Sequence, residues 1–366
     1  MTTELSSSPQ ASALNPPAHQ AKHIVEPFQF TGNGAEYFRI WIVNLALTVL
    51  TLGIYSAWAK VRKTRYFYRH TRLDGCSFEY HGDPVAILKG RIVMVVIAIA
   101  YQFVAKFSTG IAGVLSIAMT VLIPILMWKS LQFKLHNTSY RGVRFRFIGS
   151  RKKAYSAFLL WPSLSGLSLG CLGPLAYQRL KRFQHGESAY GVTRFGFTAS
   201  AKDFYRVFGK WALVGIPIIL VSVLGFGMLI MLLQKTIDSP EKRWLGFLLL
   251  VPAGFTIMAV VGAFVSLVLI QVQNLVWNQT TLGRHRFRSR AKAGKAIFII
   301  LTNLVATALT FGLFTPFAQI RMLKYRIESM QMQPASSLDE FVAAETASVS
   351  ALGEGMADVF DFDIAL

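Results

Sequence analysis

Trp41-Ile-Val-Asn-Leu-Ala-Leu-Thr-Val-Leu-Thr-Leu-Gly53-Ile-Tyr-Ser-Ala-Trp-Ala-Lys60-Val-Arg62-Lys-Thr-Arg65 is the stretch on which the fold turns. Its first part, Trp41 to Leu52, is apolar apart from Asn44 and two threonines. At 1.5 Å per residue it makes a helix of roughly 18 Å, about half the hydrocarbon core of a bilayer. A Thr-Leu-Gly break follows, and the chain then leaves through a segment carrying Lys60, Arg62, Lys63 and Arg65. An apolar helix too short to cross, broken at glycine and returning basic, predicts a re-entrant hairpin.

The same stretch recurs. Gly53, Gly170 and Gly312 align without gaps, each preceded by two residues of the form Thr-Leu, Ser-Leu or Thr-Phe. Nine residues after the glycine stand Arg62, Arg179 and Arg321. Nine before it stand Asn44, Trp161 and Asn303, and twenty-five before it Phe28, Phe145 and Phe287. Each copy opens with a two-residue alternation of aromatic or arginine, as in Arg144-Phe145-Arg146-Phe147, which reads as a short half-buried strand. A second strand near Phe78–Tyr80 and Phe195–Phe197 follows in the first two copies. The aromatic strands are expected to pair, Phe28–Phe30 near Phe78–Tyr80 and Phe145–Phe147 near Phe195–Phe197.

The reading is therefore an all-α polytopic membrane protein with short cytoplasmic β-strands. Its unit is strand, broken or re-entrant helix, strand, helix, helix, in two full copies and part of a third. The divisions are a disordered polar tail over 1–25, repeats over 26–139 and 140–281, a partial repeat over 282–332, and an acidic disordered tail over 333–366.

Composition agrees with a membrane and argues against other classes. Of 366 residues, 53% are hydrophobic and 15% charged, against about 25% charged in soluble domains. Lys and Arg number 38 against 18 Asp and Glu, a formal charge of +20. The connections near Lys106 and between Lys235 and Arg243 are poor in basic residues. Those flanking the glycine-centred segments are rich. The positive-inside rule wants the rich stretches on one side, which holds if all three broken segments enter and leave by the same face. A rival topology lets the first and third cross and puts Arg321 opposite Arg62 and Arg179. In the re-entrant topology both termini are cytoplasmic.

The residues Phe28-Gln-Phe-Thr-Gly-Asn-Gly-Ala-Glu-Tyr-Phe, then Leu50-Thr-Leu-Gly-Ile-Tyr-Ser-Ala-Trp-Ala-Lys-Val-Arg-Lys, then Phe78-Glu-Tyr-His-Gly-Asp-Pro resemble the YjgN family of bacterial inner-membrane proteins. The likeness runs over about residues 27–330. It implies an inner-membrane location and carries over no catalytic, cofactor or ligand residue.

For function, Arg62, Arg179 and Arg321 are candidates for contacting an anion, because guanidinium forks bind phosphate or carboxylate. The plainer reading is anchoring to anionic lipid of the cytoplasmic leaflet. Gly53, Gly170 and Gly312 are candidate hairpin turns. Asn44 and Asn303 either line a polar path or make structural hydrogen bonds. The apolar segments hold no Asp or Glu, which weighs against proton- or sodium-coupled carriage. Neither nucleotide-binding loop, nucleophile motif nor metal-ligand spacing is present, so neither enzyme chemistry nor a cofactor is expected. The basic strands call for no nucleic acid, since a membrane face accounts for them. Two functions stand: passive permeation or exchange of a small anionic solute, and a non-transporting envelope scaffold or lipid-binding protein.

Overall fold

A computed structural model of the chain describes residues 25–239 and 241–361. Residues 1–24, where the polar tail is expected, lie outside them.

Helical pairs alternate with strand pairs along the chain. Strands β1 (Glu26–Pro27) and β2 (Gln29–Phe30) lead into α1 (Gly34–Leu50) and α2 (Ser56–Arg69), then β3 (Thr71–Leu73) and β4 (Cys76–Tyr80). Helices α3 (Pro84–Phe107) and α4 (Thr109–His136) precede β5 (Thr138–Tyr140) and β6 (Val143–Phe147). The next pair starts with α5 (Arg151–Tyr155), a π-helical turn (Ser156–Leu160) and α6 (Trp161–Leu167). It returns through α7 (Gly173–Gly186) into β7 (Ser188–Tyr190) and β8 (Thr193–Phe197). Helices α8 (Ala201–Asp238) and α9 (Arg243–Asn278) follow, then β9 (Thr280–Leu282) and β10 (His285–Ser289). The last pair, α10 (Ala293–Leu309) and α11 (Thr315–Glu328), leads to β11 (Met330–Gln333) and α12 (Leu338–Asp361).

Helix starts are set locally. Asn33 caps α1, Asp83 caps α3 through the amides of Val85 and Ala86, and Ser200 and Asp203 form a capping box on α8. Four helices are long and apolar enough to cross a membrane: α3, α4, residues 201–234 of α8, and α9. The helix α10 is apolar but has only 17 residues.

The strands do more than decorate a helical protein. All eleven join one antiparallel sheet in the order β1-β11-β10-β9-β8-β7-β6-β5-β4-β3-β2. Its two end strands flank Phe28 in one continuous stretch, and the Phe28 amide donates to the Met330 carbonyl at 3.1 Å. The stretch 26–30 therefore joins both edges, and the sheet rolls into a near-barrel that leaves few edges unpaired. This corrects the all-α reading. The aromatic strands are also not direct neighbours: β3 lies between β2 and β4, and β7 between β6 and β8. Those three-residue strands are too short to show a period of two.

Inside the barrel the pleat aims one phenylalanine per strand pair at the axis. Phe28, Phe78, Phe145, Phe195 and Phe287 form a closed ring, with neighbouring centroids 6.3, 6.4, 6.3, 6.1 and 6.5 Å apart. Leu73, Tyr140, Tyr190, Leu282 and Met332 pack against it from the intervening strands. The two tyrosine hydroxyls donate to the Leu73 and Tyr140 carbonyls at 2.8 and 3.0 Å, so burial leaves neither unpaired. Outward positions carry Arg144, Arg146, Arg194, Arg286 and Arg288, all exposed.

Every strand hairpin turns at the barrel end away from the helices, as at Asp74-Gly75 and Arg141-Gly142. The other end joins the helical pairs. Over the turn end lies α12, with Leu338, Phe341 and Val342 facing inward. Composition pointed to a solvated acidic tail here, with docking against the basic face as the lesser reading. Instead the side chains of Leu338, Phe341, Val342 and Glu345 share one helix face, which the barrel mouth buries.

Candidate functional site

The three glycine-centred turns have closely similar backbones. Leu52 and Gly53 have φ of 49° and 92°, Leu169 and Gly170 52° and 87°, Phe311 and Gly312 48° and 91°. Two successive left-handed residues stop a helix, and the second strongly favours glycine. The turn glycine's amide reaches back to the Thr48, Ser165 or Thr307 carbonyl at 2.7 to 2.8 Å. The hydroxyls of Thr51, Ser168 and Thr310 accept from the amides of Tyr55, Leu172 and Phe314 at 2.9 to 3.0 Å. These turns are therefore internally satisfied. Their side chains are not: Leu52 and Leu169 are 95% exposed and Phe311 98%.

Within each hairpin the candidate polar residues meet. Arg321 donates to Asn303 at 2.6 Å and to the Thr302 hydroxyl at 3.1 Å. Arg62 donates to Asn44 at 3.4 Å and to the Tyr55 hydroxyl at 3.1 Å. Arg179 instead lies 5.3 Å from the centre of the Trp161 ring, a cation–π contact. Residues equally far from an antiparallel turn face each other, so the nine-residue offsets on either side of the glycine become contacts. The hairpins do not all adjoin. The first and third touch, with Phe38 stacked on Phe317 at 5.6 Å and Tyr37 donating to Gln319 at 3.2 Å. The second packs against α4 and α8.

Two contacts tie the first and second tips to neighbouring helices. Ser56, just past the first turn, hydrogen-bonds Arg91, seven residues into α3. At 1.5 Å per residue that is roughly 10 Å from the barrel end of the helix. The Tyr205 hydroxyl, in the opening turns of α8, donates to the Cys171 carbonyl beside the second turn at 3.0 Å. Residues just past both turns thus contact α3 and α8 within the first eight residues of those helices, while Leu52, Gly53 and Ile54 line one groove with Met94, Val95 and Val96 near the middle of α3.

Sequence reading missed the groups that seat α12. The carboxylate of Glu345, 4% exposed, accepts from the amides of Val192 and Thr193 at 2.7 and 3.3 Å and from the Thr193 hydroxyl. Arg141 bridges Asp74 and Asp339, both at 2.6 Å. Below the barrel, burial and the nearby charges of Lys134 and Arg326 hold the Lys181 ammonium below the usual lysine range. Burial likewise pushes His185 down to about 4; its ring stacks on Phe197 and meets the edge of Trp277. Among the described residues no group of three or more His, Cys, Asp or Glu side chains could hold a metal ion. The apolar barrel cavity is small, about 140 Å³.

Comparison with known proteins gives a consistent picture. "Inner membrane protein YjgN" of Salmonella typhimurium (strain LT2) is 23% identical over 347 residues, covering 83% of this chain and 87% of that protein. The protein of the same name from Escherichia coli O157:H7 is 32% identical over 144 residues, covering 39% of this chain and 36% of its own length. No solved structure matches the chain. The model of the family described as bacterial protein of unknown function (DUF898) matches residues 25–359, well beyond the C-terminal limit that the sequence motifs suggested, and the chain belongs to that family.

Proposed function

We propose that this protein is a non-transporting, lipid-binding component of the inner membrane. Four spans would hold an aromatic barrel on the cytoplasmic side, and three broken hairpins would wedge the adjacent leaflet. One observation carries the reading: the hairpin turns expose Leu52, Leu169 and Phe311 almost completely, and the first two hairpins contact α3 and α8 within the first eight residues of those helices. Apolar side chains on hairpins held there fit the boundary between headgroups and acyl chains. The orientation follows from the exposed arginines of the barrel strands, which the positive-inside rule assigns to the cytoplasm together with both termini. The similar turns also support descent of the three hairpins from one repeated unit.

Permeation of a small anion through the hairpin tips has less in its favour. Arg62 and Arg321 bond within their own hairpins, Arg179 covers Trp161, and the barrel axis is filled by a phenylalanine ring under α12. The test reconstitutes the protein in liposomes loaded with a panel of small organic and inorganic anions. The expected permeability equals that of protein-free liposomes. In parallel, nitroxides at positions 52, 169 and 311, with Cys76 and Cys171 replaced by Ser, should report a shallow depth in one leaflet. Anion flux together with labels at the bilayer centre would reinstate the permeation reading.

A further inference from the structure

Between α2 and the α3–α4 pair runs a groove of about 1180 Å³. Its lining includes Lys60, Arg91, Lys129 and Lys134, and no carboxylate. None of the four cations makes an ion pair among the described residues. The hydroxyls of Ser56, Thr64 and Ser130 lie among them. The groove is also zoned by depth. Along α3, which runs away from the barrel, Arg91 comes before Ile92, Val95 and Val96. Along α4, which runs back, Leu126 and Met127 come before Lys129 and Lys134. All the groove's cations on α3 and α4 therefore lie in its barrel half, interspersed with Ile87, Leu88 and Phe133, and the half toward the bilayer interior is apolar.

The corresponding place between α7 and the α8–α9 pair is packed shut. Seven residues past the turn glycine stands Lys60 in one hairpin and Tyr177 in the other. Four and eight past the helix cap stand Ile87 and Arg91 in α3 but Phe204 and Phe208 in α8. Three before the C-cap stands Lys134 in α4 but Val276 in α9. Tyr177 packs on Phe204 and Phe208 at 6.0 and 5.8 Å, and Val276 completes that cluster. The position in the fold does not demand cations. The first interface exchanges an aromatic core for a charged opening.

We propose that this groove is a binding site for one anionic phospholipid, its phosphate among Lys60, Arg91, Lys129 and Lys134 and its acyl chains along Ile92, Val95, Val96 and Leu126. In a bilayer the gap fills with lipid, and unpaired cations around its barrel end select a negative headgroup. The guanidinium of Arg91 is already held by Ser56, so less side-chain freedom is lost on binding. This rests on the lipid-binding reading above and names the site.

The experiment uses the full chain in mild detergent, delipidated and offered equal amounts of phosphatidylglycerol and phosphatidylcholine with identical acyl chains. Native mass spectrometry counts what is retained. The expected result is one retained phosphatidylglycerol, at least about fivefold over phosphatidylcholine, by the charge-assisted bonds two added partners supply. K60Q/K134Q should lower that preference severalfold, whereas K202Q/K210Q, on the exposed surface of α8, should leave it unchanged. K60Y/R91F/K134V, which fills the groove with its counterpart's residues, should abolish retention without lowering the unfolding temperature, so lost lipid is separated from lost fold. Equal retention of the two lipids, or no effect of K60Q/K134Q, overturns the proposal. So does displacement by soluble glycerol phosphate alone, since the apolar zone would then contribute nothing. Anion flux through a protein that still selects phosphatidylglycerol would defeat the non-transporting reading and leave the groove standing.

Discussion

The barrel and the helical half of the molecule obey different constraints. In the barrel, five strand pairs each supply one phenylalanine, and the centroid spacings differ by no more than a few tenths of an ångström. In the helical half, five helical pairs grow from those strands. Two pairs are long enough to span, three turn back early, and one interface is aromatic where its counterpart is cationic. A closed ring forces sameness, because one missing side chain leaves a void no neighbour can fill. A helix facing lipid has no such partner to satisfy. Positions on the helices are therefore where this architecture can vary and acquire a ligand.

The severest way to break the comparison is to break the ring. Phe145 touches Phe78, Phe195 and Tyr190. Phe145 is half-buried, so its truncation should cost toward the lower end of the range for a buried phenylalanine, about 3–5 kcal/mol, and Phe145→Asp adds the cost of an unpaired carboxylate in an apolar site. The expected outcome is protein that fails to accumulate in the membrane fraction, measured by immunoblot. Gln29→Asp is the control for charge alone, at an exposed outward position of the barrel strand beside Phe28. If Phe145→Asp accumulates normally and melts like the parent, the ring does not organise the fold.

A smaller effect should come from the helix that covers the ring. In Glu345→Ala the amides of Val192 and Thr193 lose their acceptor at the barrel mouth. An unsatisfied buried group costs about 1–3 kcal/mol. We expect faster hydrogen exchange in residues 338–350 and at Val192 and Thr193, with the membrane helices unchanged. Uniform acceleration across the chain would mean that α12 and the spans are one cooperative unit. Unchanged exchange would mean that Leu338, Phe341 and Val342 hold the helix unaided.

All five ring phenylalanines, the turn glycines and the four spans could be read from residue spacing. Closure could not. It depends on strands such as Thr71–Leu73 and Ser188–Tyr190, each three residues long, and on β1 and β2 reaching opposite sheet edges from either side of Phe28. No local pattern encodes a pairing between Glu26 and Met332 across most of the chain. The seat of α12 was within reach, because Leu338, Phe341, Val342 and Glu345 follow helical spacing, but eight acidic residues after Arg326 disguised it. The Asn–Arg pairs were also within reach, given that equal offsets from a turn become neighbours. The groove was not, since it exists only where α2 stands beside α3 and α4.

The smallest expected effects grade the three hairpins against one another. Asn303 accepts from Arg321 at 2.6 Å and is 8% exposed, so Asn303→Ala removes a charge-assisted bond worth about 1.5 kcal/mol at the lower end of its range. Asn44 accepts from Arg62 at 3.4 Å, and Arg62 also holds the Tyr55 hydroxyl at 3.1 Å. A bond that long is near its limit, so Asn44→Ala should cost less. The second hairpin has no amide at this place and relies on the Trp161 ring; Trp161→Leu should lose about 0.5–1 kcal/mol of cation–π attraction. Thermal unfolding of the three variants in one detergent should give the largest fall for Asn303→Ala, with the other two below it. Arg321→Gln should then add little to Asn303→Ala, because the pair is already broken. Equal losses in all three variants, or full additivity of the Asn303 and Arg321 changes, would show that the arginines face lipid or water and do not hold the hairpins.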